Sequence, residues 1–226
     1  MRKCKSFYWV VNNGYEGFAH LLFRGERMKE LVNGIGFNDR KYLAMECGKH
    51  LKEYKVWQSM LSRCTKKFWE TNPSYNGCSV SEPFKSYSYF YEWCQEQKGF
   101  KNRDDKGNSW CLDKDILLKN NKMYSENLCV FVPARLNILL TKRDVARGEY
   151  LVGVCWIKQK SRFMATCNIG SGVKKTIGVF DNEQDAFQAY KSFKEALIKQ
   201  VVSEYKGQID DRAYQALMNY TINEKD

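Results

Sequence analysis

Three short strand-like segments followed by one long amphipathic segment constrain the fold of the last third of this chain. The segments Tyr150–Ile157, Arg162–Ile169 and Lys174–Phe180 are separated by polar and glycine-containing turns, which is typical of consecutive strands. After Asp181 the period changes, and apolar side chains recur at helical spacing to about Tyr205. The pattern predicts a three-stranded antiparallel sheet packed on one long helix, with the other face of the sheet left free.

The polar residues of this helix predict where it begins and which side faces solvent. Asp181 is the expected N-cap, and Gln184 three residues later completes a capping box. Three lysines fall outside the helical spacing of the apolar residues, so we expect them on the solvent side of the helix. These are Lys191, Lys194 and Lys199.

The second predicted strand separates two kinds of side chain by simple alternation. The face suited to helix packing carries Phe163, Ala165 and Cys167, and the opposite face carries Arg162, Met164, Thr166 and Asn168. Because a two- or three-stranded ribbon fits the major groove, we predict that the free face contacts double-stranded DNA. The candidate DNA-binding residues are Trp156, Lys158, Lys160, Arg162, Thr166, Asn168, Lys174 and Lys175.

Two of these assignments have a structural alternative. The lysines lie at turns and strand starts, where phosphate contact is natural, but lysines in hairpin turns are also commonly just solvated. Trp156 fits a core position as well as a base contact. The coincidence of basic residues with a free sheet face favours the DNA-binding interpretation.

The net charge supports a polyanionic partner. The chain carries 37 Lys and Arg against 26 Asp and Glu, a formal charge of +11, which favours nucleic acid through counterion release. A hydrophobic fraction of 43% excludes a disordered protein. No apolar run reaches membrane-spanning length, and the run Phe7–Val11 is too short for a signal-peptide core. We therefore expect a soluble, cytoplasmic protein with no membrane partner and leave its oligomeric state open.

The cysteine pattern predicts free thiols. The nine cysteines are an odd number, are widely spaced and form no Cys-x-x-Cys pair, and the chain has only two histidines. Several cysteines lie beside large apolar residues, where a reduced thiol acts as a small hydrophobe. Buried thiols in a reducing compartment are therefore favoured over disulfides or a zinc site.

An ordered set of motifs spans about 80 residues in the middle of the chain. The set comprises Trp57-Gln58-Ser59-Met60-Leu61-Ser62-Arg63-Cys64, Tyr75-Asn76-Gly77, Leu112-Asp113-Lys114-Asp115, Tyr124-Ser125-Glu126-Asn127-Leu128-Cys129, and Val132-Pro133 to Asn137. In this order the motifs resemble the HNH homing endonucleases common in phage genomes. The resemblance implies a core in which a strand pair and a helix grip one divalent ion, Mg²⁺ or Mn²⁺.

The resemblance assigns roles by position. Asp113 would be a metal ligand on the first strand, and Asn137 would supply a second ligand from the helix. Asp115 would bind the hydrated ion, since hard ions favour carboxylate oxygen. Lys114 stands where these enzymes usually carry the general-base histidine, and beside a phosphate a lysine should remain protonated. The candidate catalytic residues are Asp113, Lys114, Asp115 and Asn137.

The turn before the helix departs from the pattern of the family. Glu126 stands where the family has proline, and Leu128 occupies the place of an expected Asn, with Asn127 one residue early. These departures leave open a DNA-binding protein with an inactive, relic HNH fold, such as a phage regulator or anti-defence factor. A protein-binding adaptor that uses the aromatic segment 84–93 is a third possibility, but it leaves the basic sheet unexplained.

A second resemblance covers residues 150–205. Gly153-Val154, Phe163-x-Ala165, Ile177-Gly178-x-Phe180 and Asp185-Ala186-Phe187-x-Ala189-Tyr190 resemble the plant ethylene-response-factor (Apetala-type) DNA-binding domain, which also occurs appended to phage HNH proteins. The resemblance implies that the sheet enters the major groove and, if the chain is phage-encoded, that the protein acts in the host cytoplasm.

Together these observations predict an α+β protein in four parts. Residues 1–52 form a segment of unknown role, and 53–147 an HNH-like core of the ββα-metal type. Residues 148–206 form the ethylene-response-factor-like domain, and 207–226 a C-terminal tail. We expect a metal-dependent DNA endonuclease or nickase.

Overall fold

The computed structural model describes residues 31–141, 149–170 and 172–224. The predicted mixture of helices and strands is confirmed. The first 30 residues of the N-terminal segment and the expected boundary between residues 147 and 148 lie outside the described residues. Among the helices that are described, none has the length and apolar character needed to cross a membrane.

The first half of the chain folds around an aromatic core. Its elements are β1 (Met45–Glu46), β2 (Lys49–His50), α1 (Lys52–Ser62), α2 (Lys66–Thr71), β3 (Ser79–Val80) and α3 (Tyr87–Glu96). Trp57, Met60 and Leu61 of α1 are buried because they recur at helical spacing on one side. Gly36 packs so closely on this side that an added Cβ would lie 2.5 Å from the Leu61 side chain. Residues 31–51, which had no predicted role, thus help to cover the core.

The middle of the chain forms three short strands, of which the first and third pair in antiparallel fashion, followed directly by a helix. The elements are β4 (Cys111–Asp113), β5 (Met123–Tyr124), β6 (Val130–Val132) and α4 (Ala134–Leu140). In the β4–β6 pair, Cys111 lies opposite Val132 and Asp113 opposite Val130. Pro133 alone separates β6 from α4 and occupies its N-cap position. The end of β4 and the side of α4 are therefore brought close together.

The last third contains a three-stranded antiparallel sheet and two helices. The elements are β7 (Val154–Ile157), β8 (Arg162–Asn168), β9 (Lys174–Phe180), α5 (Glu183–Ser203) and α6 (Asp211–Met218), with β8 in the centre of the sheet. β7 begins later than Tyr150 because Gly153 has a left-handed φ of +79° and lies against the Tyr190 ring. The N-cap of α5 is Asn182, whose side chain accepts from the Asp185 amide at 2.8 Å. The expected N-cap at Asp181 is wrong, because that carboxylate pairs with Arg162.

A second hydrophobic core joins the middle of the chain to its last third. Ile198, Val201 and Val202 of α5 pack in one cluster with side chains of β6 and α4, including Val132 and Leu136. The tail expected over 207–226 instead contains α6 and buries Ile209, Ala213, Leu217 and Ile222 in the same cluster. The parts expected as separate domains therefore share one core.

The solvent-exposed position expected for Lys194 is wrong. This side chain is 8% exposed, because it follows Phe187 by seven residues and precedes Ile198 by four on the buried stripe of α5. Burial lowers the pKa of Lys194, and nearby Cys167 acts in the opposite direction.

Candidate nuclease site and sheet surface

A cavity of about 360 Å³ opens where β4 ends beside α4. Its walls include Asp113, Lys114, Asp115 and Asn137, the four residues that the sequence singled out as catalytic. Asp113 is the last residue of β4, and Asn137 lies in the middle of α4. The direct passage from β6 into α4 thus brings together residues that are far apart in the sequence.

Asp113 is a buried carboxylate held by the backbone. Its Oδ1 accepts hydrogen bonds from the amides of Asp115 and Ile116, each at 2.9 Å, and the residue is 9% exposed. Burial, and secondarily the negative charge of Asp115, raise the pKa of Asp113 to about 6. Perturbed carboxylates of this kind are concentrated at functional sites.

Lys114 is a buried cation rather than a side chain open to solvent. The residue is 8% exposed, and its Nζ donates to Asp115 Oδ2 at 3.1 Å. The same Nζ lies 5.9 Å from the ring centroids of both Tyr75 and Tyr124. Asn121 fixes the backbone here by donating to the Lys114 carbonyl at 2.6 Å. Lys114 therefore forms an ion pair within the wall of the cavity.

The donor set fits a hard divalent cation coordinated mainly by water. Two carboxylates and one amide, from Asp113, Asp115 and Asn137, offer oxygen ligands to the same cavity. A cation would also offset the repulsion between the two carboxylates that raises the pKa of Asp113. Within the described ranges no cluster of three or more His, Cys, Asp and Glu side chains could hold a metal. Mg²⁺ and Mn²⁺, which need few protein ligands, fit this set better than zinc.

Among the further residues that line the cavity, three with polar side chains lie in the sequence motifs but had no role assigned from the sequence. They are Arg63, Tyr75 and Tyr124. Arg63 follows the last turn of α1 and lies over the Tyr75 ring at 5.8 Å. Burial tends to lower the pKa of Arg63, but its interaction and hydrogen bond with Tyr124 raise it overall. All three residues lie in the sequence motifs of the middle of the chain. Their residue types alone did not indicate that they would line one cavity.

The turn between β5 and β6 is held by two local contacts. The Ser125 carbonyl accepts from the Cys129 amide at 2.9 Å, which closes the turn between β5 and β6. Glu126 accepts from the Ser81 hydroxyl at 3.1 Å and so connects the turn to the segment after β3. Glu126 therefore anchors the turn by a side-chain contact.

Most of the predicted DNA-binding residues lie on or beside the sheet face away from α5. Ala165 and Cys167 are buried, and the alternation puts Arg162, Thr166 and Asn168 on the opposite face. Lys174 lies directly across from Asn168 and shares that face. Lys158 and Lys160 form an exposed 3₁₀ turn between β7 and β8.

Three of these residues have other contacts. Lys175 lies across from buried Cys167, and its Nζ is 5.0 Å from the Phe193 ring of α5, so it lies on the helix side. The Trp156 ring packs on Phe163 at 4.7 Å and is 36% exposed, at the border of the helix side. The Arg162 guanidinium pairs with Asp181 at 2.7 Å. The open face therefore offers fewer basic side chains for DNA contact than the sequence predicted, because Lys175 lies on the helix side and Arg162 pairs with Asp181.

The cysteines of the described residues are all free. Cys47 is exposed, whereas burial raises the pKa of Cys64 and of Cys129 to about 12.

Comparison of the chain with protein-family models, curated proteins and solved structures finds no match.

Proposed function

We propose that this protein is a DNA-binding, metal-dependent endonuclease or nickase of the HNH type. One observation carries the proposal: a carboxylate at the end of a strand and an amide on the following helix, 24 positions apart in the sequence, line one cavity with Lys114 and Asp115. A strand pair followed by a helix is the arrangement that the motif resemblance implies for such a core.

The side chains of the cavity suit phosphodiester hydrolysis. Asp113 and Asn137 would hold Mg²⁺ or Mn²⁺, which supplies charge neutralisation on the phosphate when bound. Lys114, whose Nζ donates to Asp115 at 3.1 Å, would place positive charge beside the phosphate. The Asp115 side chain is 47% exposed and can orient the attacking water. Hydrolysis then needs no histidine in the cavity.

The sheet is the proposed means of DNA recognition. Lys158, Lys160 and Lys174 are exposed at its turns and strand start, where they suit phosphate contact. Thr166 and Asn168 on the open face are short polar side chains of the kind that contact base edges. The formal charge of +11 is consistent with this partner.

A nicking assay tests the activity. The full chain is incubated with supercoiled plasmids of varied sequence in Mg²⁺ or Mn²⁺, and in EDTA as the matched control. We expect nicked or linear products with either metal and none in EDTA. Intact plasmids in both metals, across all sequences, would count against the nuclease.

A second candidate is a DNA-binding protein with an inactive nuclease fold. The contacts that favour it are structural: Asp113 Oδ1 caps two backbone amides, and Lys114 is buried in an ion pair. This candidate predicts a salt-sensitive gel shift with duplex DNA and no cleavage in any divalent metal. Metal-dependent nicking would exclude it.

A further inference from the structure

The cavity beside β4 carries more positive than negative side chains. Its walls contain two carboxylates, Asp113 and Asp115, and four cationic side chains. The cations are Arg63, Lys114, Lys119 and Lys122. Lys114 pairs with Asp115, one of these two carboxylates. The excess of positive charge in a partly enclosed space favours an anionic occupant.

Arg63 is the arginine among these cations, and it follows the last turn of α1. No ion pair within residues 31–141, 149–170 and 172–224 includes Arg63, although its side chain is half-buried. Its interaction partners are the hydroxyl of Tyr124 and the ring of Tyr75, neither of which is a carboxylate. A partly buried guanidinium without a carboxylate is costly unless an anion satisfies it.

The two tyrosines hold Arg63 and Lys114 toward the same space. Tyr75 lies 5.8 Å from the Arg63 guanidinium and 5.9 Å from Lys114 Nζ, measured to its ring centroid. The interaction with Tyr124 raises the pKa of Arg63, and the Tyr124 ring lies 5.9 Å from Lys114 Nζ. Both cations therefore lie beside the same two aromatic side chains in the wall of the cavity.

We propose that Arg63 binds a phosphate of the nucleic-acid backbone in this cavity, which Asp113 and Asn137 also line. Its planar fork donates two parallel N–H bonds to a phosphate, which a lysine cannot match. The proposal rests on the proposed function for the identity of the phosphate, but the binding step itself requires neither metal nor cleavage. Arg63 thereby fixes where the phosphodiester sits relative to the carboxylates.

Phosphate binding is measured first on the unaltered chain. The ¹⁵N–¹H signal of Arg63 Nε, assigned by its loss in Arg63→Lys, is followed as sodium phosphate replaces sodium chloride at constant ionic strength and in EDTA. We expect the Arg63 signal to shift saturably while that of Arg135, an exposed arginine paired with Glu204, stays unchanged. An Arg63 signal that does not move with phosphate overturns the proposal.

Duplex binding is measured next, by fluorescence anisotropy in EDTA from 50 to 200 mM salt, with no cleavage possible. Arg63→Gln should bind about ten-fold more weakly, and its salt slope should fall by about one. Arg63→Lys should keep the slope while losing part of the affinity, and Arg135→Gln serves as the matched control. An Arg63→Gln protein with wild-type affinity and slope contradicts the proposal.

The outcomes separate this inference from the nuclease activity. If the protein never cuts DNA but Arg63 shows both responses, the nuclease proposal fails and the phosphate site stands. If the protein cuts DNA and Arg63→Gln cuts it with unchanged kcat and KM, the phosphate site fails and the nuclease stands.

Discussion

Replacing Asp113 by Asn should make the protein more stable near neutral pH. Burial and the charge of Asp115 raise the pKa of Asp113 from an ordinary 3.8 to about 6. Its ionised form is therefore disfavoured in the folded state, which costs about 3 kcal/mol at pH 8. An asparagine oxygen still accepts from the amides of Asp115 and Ile116 but carries no charge. We expect Asp113→Asn to gain up to about 3 kcal/mol at pH 8.

The pH dependence gives the sign of this effect. Between pH 6 and pH 4 the folded state holds a proton on Asp113 that the unfolded state lacks, so the wild type gains stability as pH falls through this window. The advantage of Asp113→Asn should therefore shrink toward zero by about pH 4. Urea unfolding in EDTA from pH 4.5 to pH 8 measures it, with Asp105→Asn on an exposed loop as control. A variant no more stable than wild type at pH 8 refutes the reasoning.

Four further results are expected. Leu217→Ala, which empties a fully buried position in α6, should lower the free energy of unfolding by about 2–5 kcal/mol, whereas exposed Gln215→Ala should change it little; equal effects in urea titrations would contradict the shared core. A fragment of residues 148–206 should lack cooperative unfolding by circular dichroism, because Ile198, Val201 and Val202 lose their partners on β6, α4 and α6; a cooperative transition would show that the sheet and α5 suffice. Lys174→Ala should weaken duplex binding and reduce its salt slope by about one, while Lys175→Ala, beside Phe193, should have the smaller effect; the reverse order in anisotropy titrations would place the DNA on the helix side. In the native protein Cys47 should react with a thiol reagent faster than Cys94 and Cys129, which are fully buried, and Cys47→Ser should remove that fast phase; no loss of the phase would contradict the burial pattern.

The sequence predicted local structure well where periodicity was strong. The bounds of β9 and nearly all of β8 agree with the predicted strands, and β8 buries Ala165 and Cys167 in alternation as a half-buried strand does. The prediction from the sequence was wrong where one residue could either cap a helix or form an ion pair. Asp181 is a good N-cap by type, but Arg162, brought near by the sheet, pairs with it and leaves Asn182 to cap the helix.

Long-range packing was the part that could not be predicted from the sequence. Lys194 was assigned to the solvent side by its charge, although its position falls on the stripe that α5 buries. The apolar positions of 207–226 looked like a tail because their partners on α4 and α5 are distant in the sequence. The cavity shows the same limit: motifs indicated Asp113 and Asn137, but only the fold brings Arg63 into the same wall.

Cleavage by site variants of the full chain tests the central claim most directly. Wild type, Asp113→Ala, Asn137→Ala and the exposed-loop control Asp105→Ala are compared on the same supercoiled DNA in Mg²⁺, after matched folding and DNA affinity are verified. We predict that wild type and Asp105→Ala nick the DNA, that Asp113→Ala is inactive, and that Asn137→Ala is slowed by at least about ten-fold. Undiminished nicking by Asp113→Ala would contradict the assignment of this cavity as the nuclease site.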